Sequence, residues 1–301
     1  MTASGKTTLI AGLVLAVTFA GSVMGRRQVD QQRGSEATLE DVLYLPSGKT
    51  VKRLSLGYSG LLANIYWTRA VQYFGSQHMH HSRRYDLLYP LLDITTDLDP
   101  NLIVAYENGA ILLSQKAPDG AGQPDKAVTL LERGVKANPD YWRLYFTLGF
   151  VHYIDRDDPK AAQIAFARGS EVPGALPWMK VMAARMAERS KDITTAMALW
   201  QAIYETTTDK NVHDTAMSHL VSLEADRDIN ELERRIKIYR QRTGKLPASW
   251  SDLIGAGLLN GVPLTPLKDP YVLNADGKVD VKDSSKYPYL GEWRNNVDVP
   301  F

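Results

Sequence analysis

Three copies of one apolar pattern, each opened by a large aromatic residue, leave this chain few folds to choose from. The copies read Trp67, Ala70, Val71, Phe74; then Tyr106, Gly109, Ala110, Leu113; then Tyr145, Leu148, Gly149, His152. Each has the interval 0, 3, 4, 7, which puts its members on one face of an α-helix. The leading aromatics lie 39 residues apart both times, and a weaker fourth copy runs through Lys180, Ala183, Ala184 and Ala187. Second helices with the interval 0, 4, 7 fall between them: Leu88, Leu92, Thr95; Ala127, Leu131, Gly134; Ala162, Phe166, Gly169; and Ala196, Trp200, Ile203. The first two close alike, on Asp99-Pro100 and Asn138-Pro139, where proline stops the helix and sets the next turn. A strand alternates with period two and cannot use these intervals, so the expected class is all-α, a stack of helical hairpins.

A large aromatic followed by Leu148-Gly149 on the first helix, then Ala162, Phe166 and a closing proline on the second, resembles the tetratricopeptide repeat. The resemblance covers about residues 59–208, with the third copy the closest. The family period is about 34 residues, so the surplus of the first two copies is assigned to the turns within the hairpins, residues 77–84 and 116–125. Small residues such as Gly149 would let the two helices approach, and large ones would fill the neighbouring groove. The resemblance implies a solenoid whose first helices line a concave face that receives a protein or peptide partner. Register carries Ile65, Thr68 and Gln72 to that face, then Val104, Glu107 and Ile111, then Arg143, Phe146 and Phe150, then Trp178, Val181 and Arg185. Aromatic, arginine and aliphatic side chains of this kind are enriched at protein interfaces. The alternative occupant is the chain's own tail, from Tyr287 through Pro288, Tyr289 and Leu290 to Trp293.

Residues 7–25 form an uncharged apolar run bounded by Lys6 and by Arg26 and Arg27. Nineteen residues at 1.5 Å each give about 28 Å of helix, close to the hydrocarbon thickness of a bilayer. The expected role is a single retained transmembrane anchor. A cleaved signal peptide is the competing reading, with Ala20, Gly21 and Ser22 as the small residues at the cut. The two arginines favour a cytoplasmic body, while the short tail ahead of a signal-like run favours export, which is the expectation adopted. The chain divides into residues 1–33, an anchor or signal segment; 34–58, an extended arm or hairpin with β-prone runs at 42–45 and 50–56; 59–225, the hairpin stack; and 226–301, a helix plus a small mixed capping module. Helices are expected at 212–225 and 229–242, closed by Gly244. A Thr243-Gly244 turn with Pro247, then Asp269, Pro270, Tyr271 and Leu273 before an Asp276-Gly277 turn, resembles the globular end of type II secretion pseudopilins. That family's tryptophan-glycine pair between the Asp-Pro and the Tyr is missing here.

Chemistry is sparse by comparison. The chain has no cysteine, which removes disulfides, thiolate metal sites and a cysteine nucleophile. A formal net charge of +1 provides no global field to attract nucleic acid, and none is expected as a partner. Ser4-Gly5-Lys6-Thr7-Thr8 has the end of a phosphate loop without its leading glycine or strand. His78, His80 and His81 share an enlarged turn and supply the one candidate for metal chemistry. Asp155, Arg156, Asp157 and Asp158 precede Pro159 and are expected to cap a helix. The expected function is therefore that of an anchored, non-enzymatic interaction scaffold with no cofactor, in an envelope or secretion-type assembly. Two alternatives stand beside it: a metal-dependent sensor or enzyme centred on the histidine turn, and a structural subunit of a larger membrane complex.

Overall fold

The structure, a computed structural model, describes residues 47–291. The apolar run at 7–25 and the β-prone run at 42–45 lie outside these residues. Among the described residues no helix is long and apolar enough to cross a membrane.

Among the described residues eleven α-helices carry the fold. A short α1 (Gly48–Leu54) precedes four pairs: α2 (Ser59–Met79) with α3 (Leu88–Leu98), α4 (Ile103–Ser114) with α5 (Pro124–Ala137), α6 (Trp142–Phe150) with α7 (Pro159–Ser170), and α8 (Trp178–Arg189) with α9 (Ile193–Thr206). Each pair packs together, and α7 packs closely on α8 as well. A π-helical turn, Val151–Asp155, continues α6. The long turns fall where the sequence placed its surplus: eight residues between α2 and α3 and nine between α4 and α5, against three between Asp155 and Pro159.

The reason these segments pair is visible in their small residues. A Cβ on Gly149 would sit 2.6 Å from the ring of Phe166, so α6 and α7 touch only because that atom is missing. Tyr106 presses on Gly134 in the second pair, and Tyr145 presses on Gly169 in the third, each at a distance that no side chain would allow. Every member of the four second-helix patterns is buried. The turns between pairs are tied in register. The Asn138 amide donates to the Pro100 carbonyl at 2.8 Å, and the Tyr145 hydroxyl donates to the Pro139 carbonyl at 3.1 Å. Arg133 of α5 reaches back to α3, pairing with Asp93 at 2.7 Å and Asp97 at 3.2 Å and donating to the Thr96 hydroxyl. Asp158 caps α7 through the Ala161 N–H at 2.9 Å, as its place ahead of Pro159 predicts.

Three expectations need correction. Residues 50–56 are not a strand: Ser47 caps α1, which buries Val51 and packs on α3. The helices expected at 212–225 and 229–242 are one, α10 (Lys210–Thr243), which runs for 34 residues through the boundary drawn at 225/226. The first copy of the repeat also departs from the core pattern expected of it. Ala70 and Tyr73 are buried, whereas Val71 is 42% exposed and Trp67 only half-buried. The buried stripe of α2 runs instead through Ala63, Ala70, Tyr73 and Gln77. Two aromatic neighbours, Tyr66-Trp67 and Tyr73-Phe74, offer two stripes about 100° apart, and only burial decides between them.

The carboxyl-terminal module folds against the second half of α10. Gly244 closes that helix in the left-handed conformation, at φ +73°. A capping box of Ser249 and Asp252 opens α11 (Trp250–Gly255). The strands β1 (Val272–Leu273) and β2 (Val279–Asp280) pair antiparallel around the Asp276-Gly277 turn. The Trp250 indole donates to the Tyr271 carbonyl at 3.0 Å, and the Tyr271 hydroxyl donates to Asp228 at 3.3 Å. Burial, then the Asp228 carboxylate, pushes that phenol far up from its ordinary value.

Candidate functional site

The row predicted along the first helices divides into three stretches. In the third and fourth pairs the structure brings the predicted residues together. Phe146 stacks edge-on against Phe150 at 4.8 Å between centroids and against Trp178 at 5.3 Å, while Phe150 lies 6.3 Å from Trp178. Trp142 joins them 6.0 Å from Phe146, and the buried Phe166 lies beneath, 5.3 Å from Phe150. These rings are not sealed off: Phe146 and Phe150 are half-buried and Trp178 is 38% exposed. Arg143 lies over the Trp142 ring, 5.5 Å from its centroid, and Arg185 stands exposed on α8.

The second stretch belongs to α4. Glu107 is half-buried and Ile111 exposed. Burial pushes the Glu107 carboxyl up from its ordinary value, and the Arg143 guanidinium of the next pair opposes part of that rise. The charge of Arg143 therefore acts across the seam between α4 and α6. Next to Ile111 a shallow depression of about 320 Å³ is lined by Trp67, Val71, Asn108 and Leu112.

The third stretch is where the departure of the first copy matters. Ile65, Thr68 and Gln72 line a separate depression of about 310 Å³ with Asn64 and Arg69, away from the one at Ile111. The positions on α2 that continue the row are Trp67 and Val71. Sequence reasoning missed them because it had placed both in the core. Their signal was available: a tryptophan and a β-branched residue four apart, next to a second aromatic stripe.

The described part of the tail is elsewhere. The Tyr289 N–H donates to the Ser222 hydroxyl at 3.3 Å, and the Gly291 N–H donates to the Asp226 carboxylate at 2.9 Å, both on α10. The Tyr289 ring stacks on His219 at 3.5 Å, and His219 stacks in turn on Trp200 at 4.0 Å. Glu188 collects the Trp200 indole N–H at 2.6 Å and lies 2.8 Å from His219 Nδ1. This buried cluster joins α8, α9, α10 and residues 287–291; Trp293 lies outside the described residues.

The histidine turn shows no convergence. His78, His80 and His81 are all exposed; His78 Nδ1 lies 2.9 Å from the Pro118 carbonyl and His80 Nδ1 lies 2.7 Å from the Ser76 carbonyl. Among the described residues no group of three or more histidine, cysteine, aspartate or glutamate side chains is placed to hold a metal ion. One further cleft, about 610 Å³, lies between α10 and the Asp276-Gly277 turn, with Ile236 and Leu246 as apolar lining and Arg234, Lys237 and Arg240 as cations. No family model, no curated protein and no solved structure matches the chain.

Proposed function

We propose that this chain is a non-enzymatic interaction scaffold of the tetratricopeptide type, a helical-hairpin solenoid held at a membrane through residues 7–25. Its partner is a protein or peptide that lies across the first helices of successive hairpins. The observation that carries the reading is the half-exposed aromatic cluster of Trp142, Phe146, Phe150 and Trp178, flanked by Arg143 and Arg185. Aromatic rings left partly open beside a fixed cation are the usual anchors of an interface, because they give large desolvated area at little conformational cost. The neighbouring depression at Trp67, Val71 and Ile111 extends the same apolar row toward α2. Arg143 and Arg185 favour a ligand with carboxylates.

The test begins with the partner recovered with full-length protein, whose affinity is then measured by calorimetry. Phe146→Ala and Arg143→Glu are each expected to weaken it by about 1–3 kcal/mol with unchanged circular dichroism. His80→Ala with His81→Ala is expected to leave it unaltered. Unchanged affinity in both groove variants, or a loss confined to the histidine variant, overturns the proposal in favour of a metal-dependent activity at the turn.

A further inference from the structure

The corner where α1 meets α2 combines two properties. The first is exposed apolar bulk. Leu54, Leu56, Tyr58 and Leu61 are 72%, 87%, 69% and 61% exposed, within eight consecutive positions. Leu56 holds a left-handed backbone, φ +49°, and Gly57 follows at +92°. A leucine in that conformation is strained and gains no packing in return, which marks the corner as shaped for something outside the body.

The second property is charge. No acidic residue lies between Asp41 and Asp86, and at the corner itself α1 provides Lys49, Lys52 and Arg53; the Asp97 carboxylate of α3 lies against Gly48, on the side of α1 that packs on the body. The whole molecule carries only +1, so the excess is local. Lys49, Lys52 and Arg53 are exposed on α1 directly beside the apolar residues. A basic rim around protruding leucines and a tyrosine is complementary to an anionic lipid surface: the cations meet the headgroups and the apolar tips enter the boundary with the acyl chains.

We infer that the α1–α2 corner is a bilayer-docking surface, seated on anionic lipid through Lys49, Arg53, Leu54, Leu56, Tyr58 and Leu61. The inference rests on the membrane attachment proposed above and adds to it a fixed attitude of the body. The row of first-helix residues starts on α2, so a partner lying along it would approach the membrane at its α2 end.

The absence of cysteine makes the test direct. Full-length Leu56→Cys, carrying an environment-sensitive fluorophore, is reconstituted in vesicles of phosphatidylcholine with or without phosphatidylglycerol, and quenching by brominated acyl chains is read. Co-sedimentation of the same sample reports attachment separately, so loss of the anchor and loss of corner docking are distinguishable. Quenching is expected in the anionic vesicles, with a label at Ile164→Cys, an exposed apolar position on α7, left unquenched. Lys49→Glu with Arg53→Glu is expected to weaken corner docking by about 25-fold or more, read as loss of quenching, since each cation near an anionic surface contributes roughly fivefold, while co-sedimentation is retained. Lys52 is left intact because its ammonium donates to the Asp97 carbonyl at 3.1 Å. A label at position 56 that stays in water in every vesicle overturns the inference. So does one already shielded without lipid, which would place a second copy or residues 42–45 on the corner, and so does equal quenching in neutral vesicles.

Discussion

Gly149 and His152 lie on one face of α6 and its π-helical extension, and both are tied to the wall of the third hairpin. The space for a Cβ at Gly149 is taken by three carbons of the Phe166 ring, all within 2.7 Å. Phe166 is fully buried and cannot swing aside. Gly149→Ala should therefore cost about 1–3 kcal/mol of stability despite the usual helix-favouring effect of alanine, read as a lower midpoint in urea with an unchanged slope. His152 fills the position that Leu113 holds one hairpin earlier. It is buried, and its Nδ1 has no hydrogen-bond partner among the described residues. Burial, and then the Arg156 guanidinium, hold its imidazole below the ordinary value. The unfolded chain therefore takes up that proton first as pH falls. The stability conferred by the neutral ring is complete above about pH 6.5 and is lost as pH drops from there toward the depressed folded value. His152→Leu should flatten the fall in melting temperature between pH 7 and pH 5; a profile parallel to the parent's would show that other groups set it.

At the scale of elements, the second helices were the most legible. Their 0, 4, 7 pattern is a stripe of apolar and small residues, and every member is buried. The turn that bridges successive pairs is testable by itself. Asn138→Ala removes the contact to Pro100 and should cost about 1 kcal/mol, measured by thermal unfolding, whereas Asn138→Asp removes the donor at nearly constant shape and should cost as much. Elements that depend on distant partners were less legible. Thr50 and Val51 favour a strand by local preference, yet α1 forms because Ser47 caps it and α3 receives Val51. The continuity of α10 was hidden by Asp226, a carboxylate at a fully buried position in the middle of its apolar stripe. Its acceptance of the Gly291 N–H, 65 residues away, is what makes that burial tolerable, and no local pattern reveals it. The row on α2 was misplaced for a related reason: adjacent aromatics carry equal weight in a periodicity, and only the neighbour that packs against them separates core from surface.

At the scale of the molecule, α10 belongs to two cores at once. Ala216 and Leu223 complete the apolar cluster around Trp200, while Ala225, Ile229, Leu232 and Ile236 floor the one around Tyr271 and Leu253. Melting of the hairpins and of the carboxyl-terminal module should consequently be one transition. Leu232→Ala, expected to cost about 2–5 kcal/mol, should lower hydrogen-exchange protection in α9 as well as in α11; a loss confined to α11 would show two independent units. The shared helix also sets which changes in length this chain can survive. One residue inserted between Ala225 and Ile229 would swing everything beyond it by about 100° and advance it by 1.5 Å, turning the Tyr271 core away from its floor. Seven residues, nearly two full turns, would restore the phase but still displace the module by about 10 Å, out of reach of the tail that closes over Ser222 and Asp226. The turns between α2 and α3 or between α4 and α5 impose no such phase, and descendants of this sequence should differ in length there while counting the same number of residues through α10.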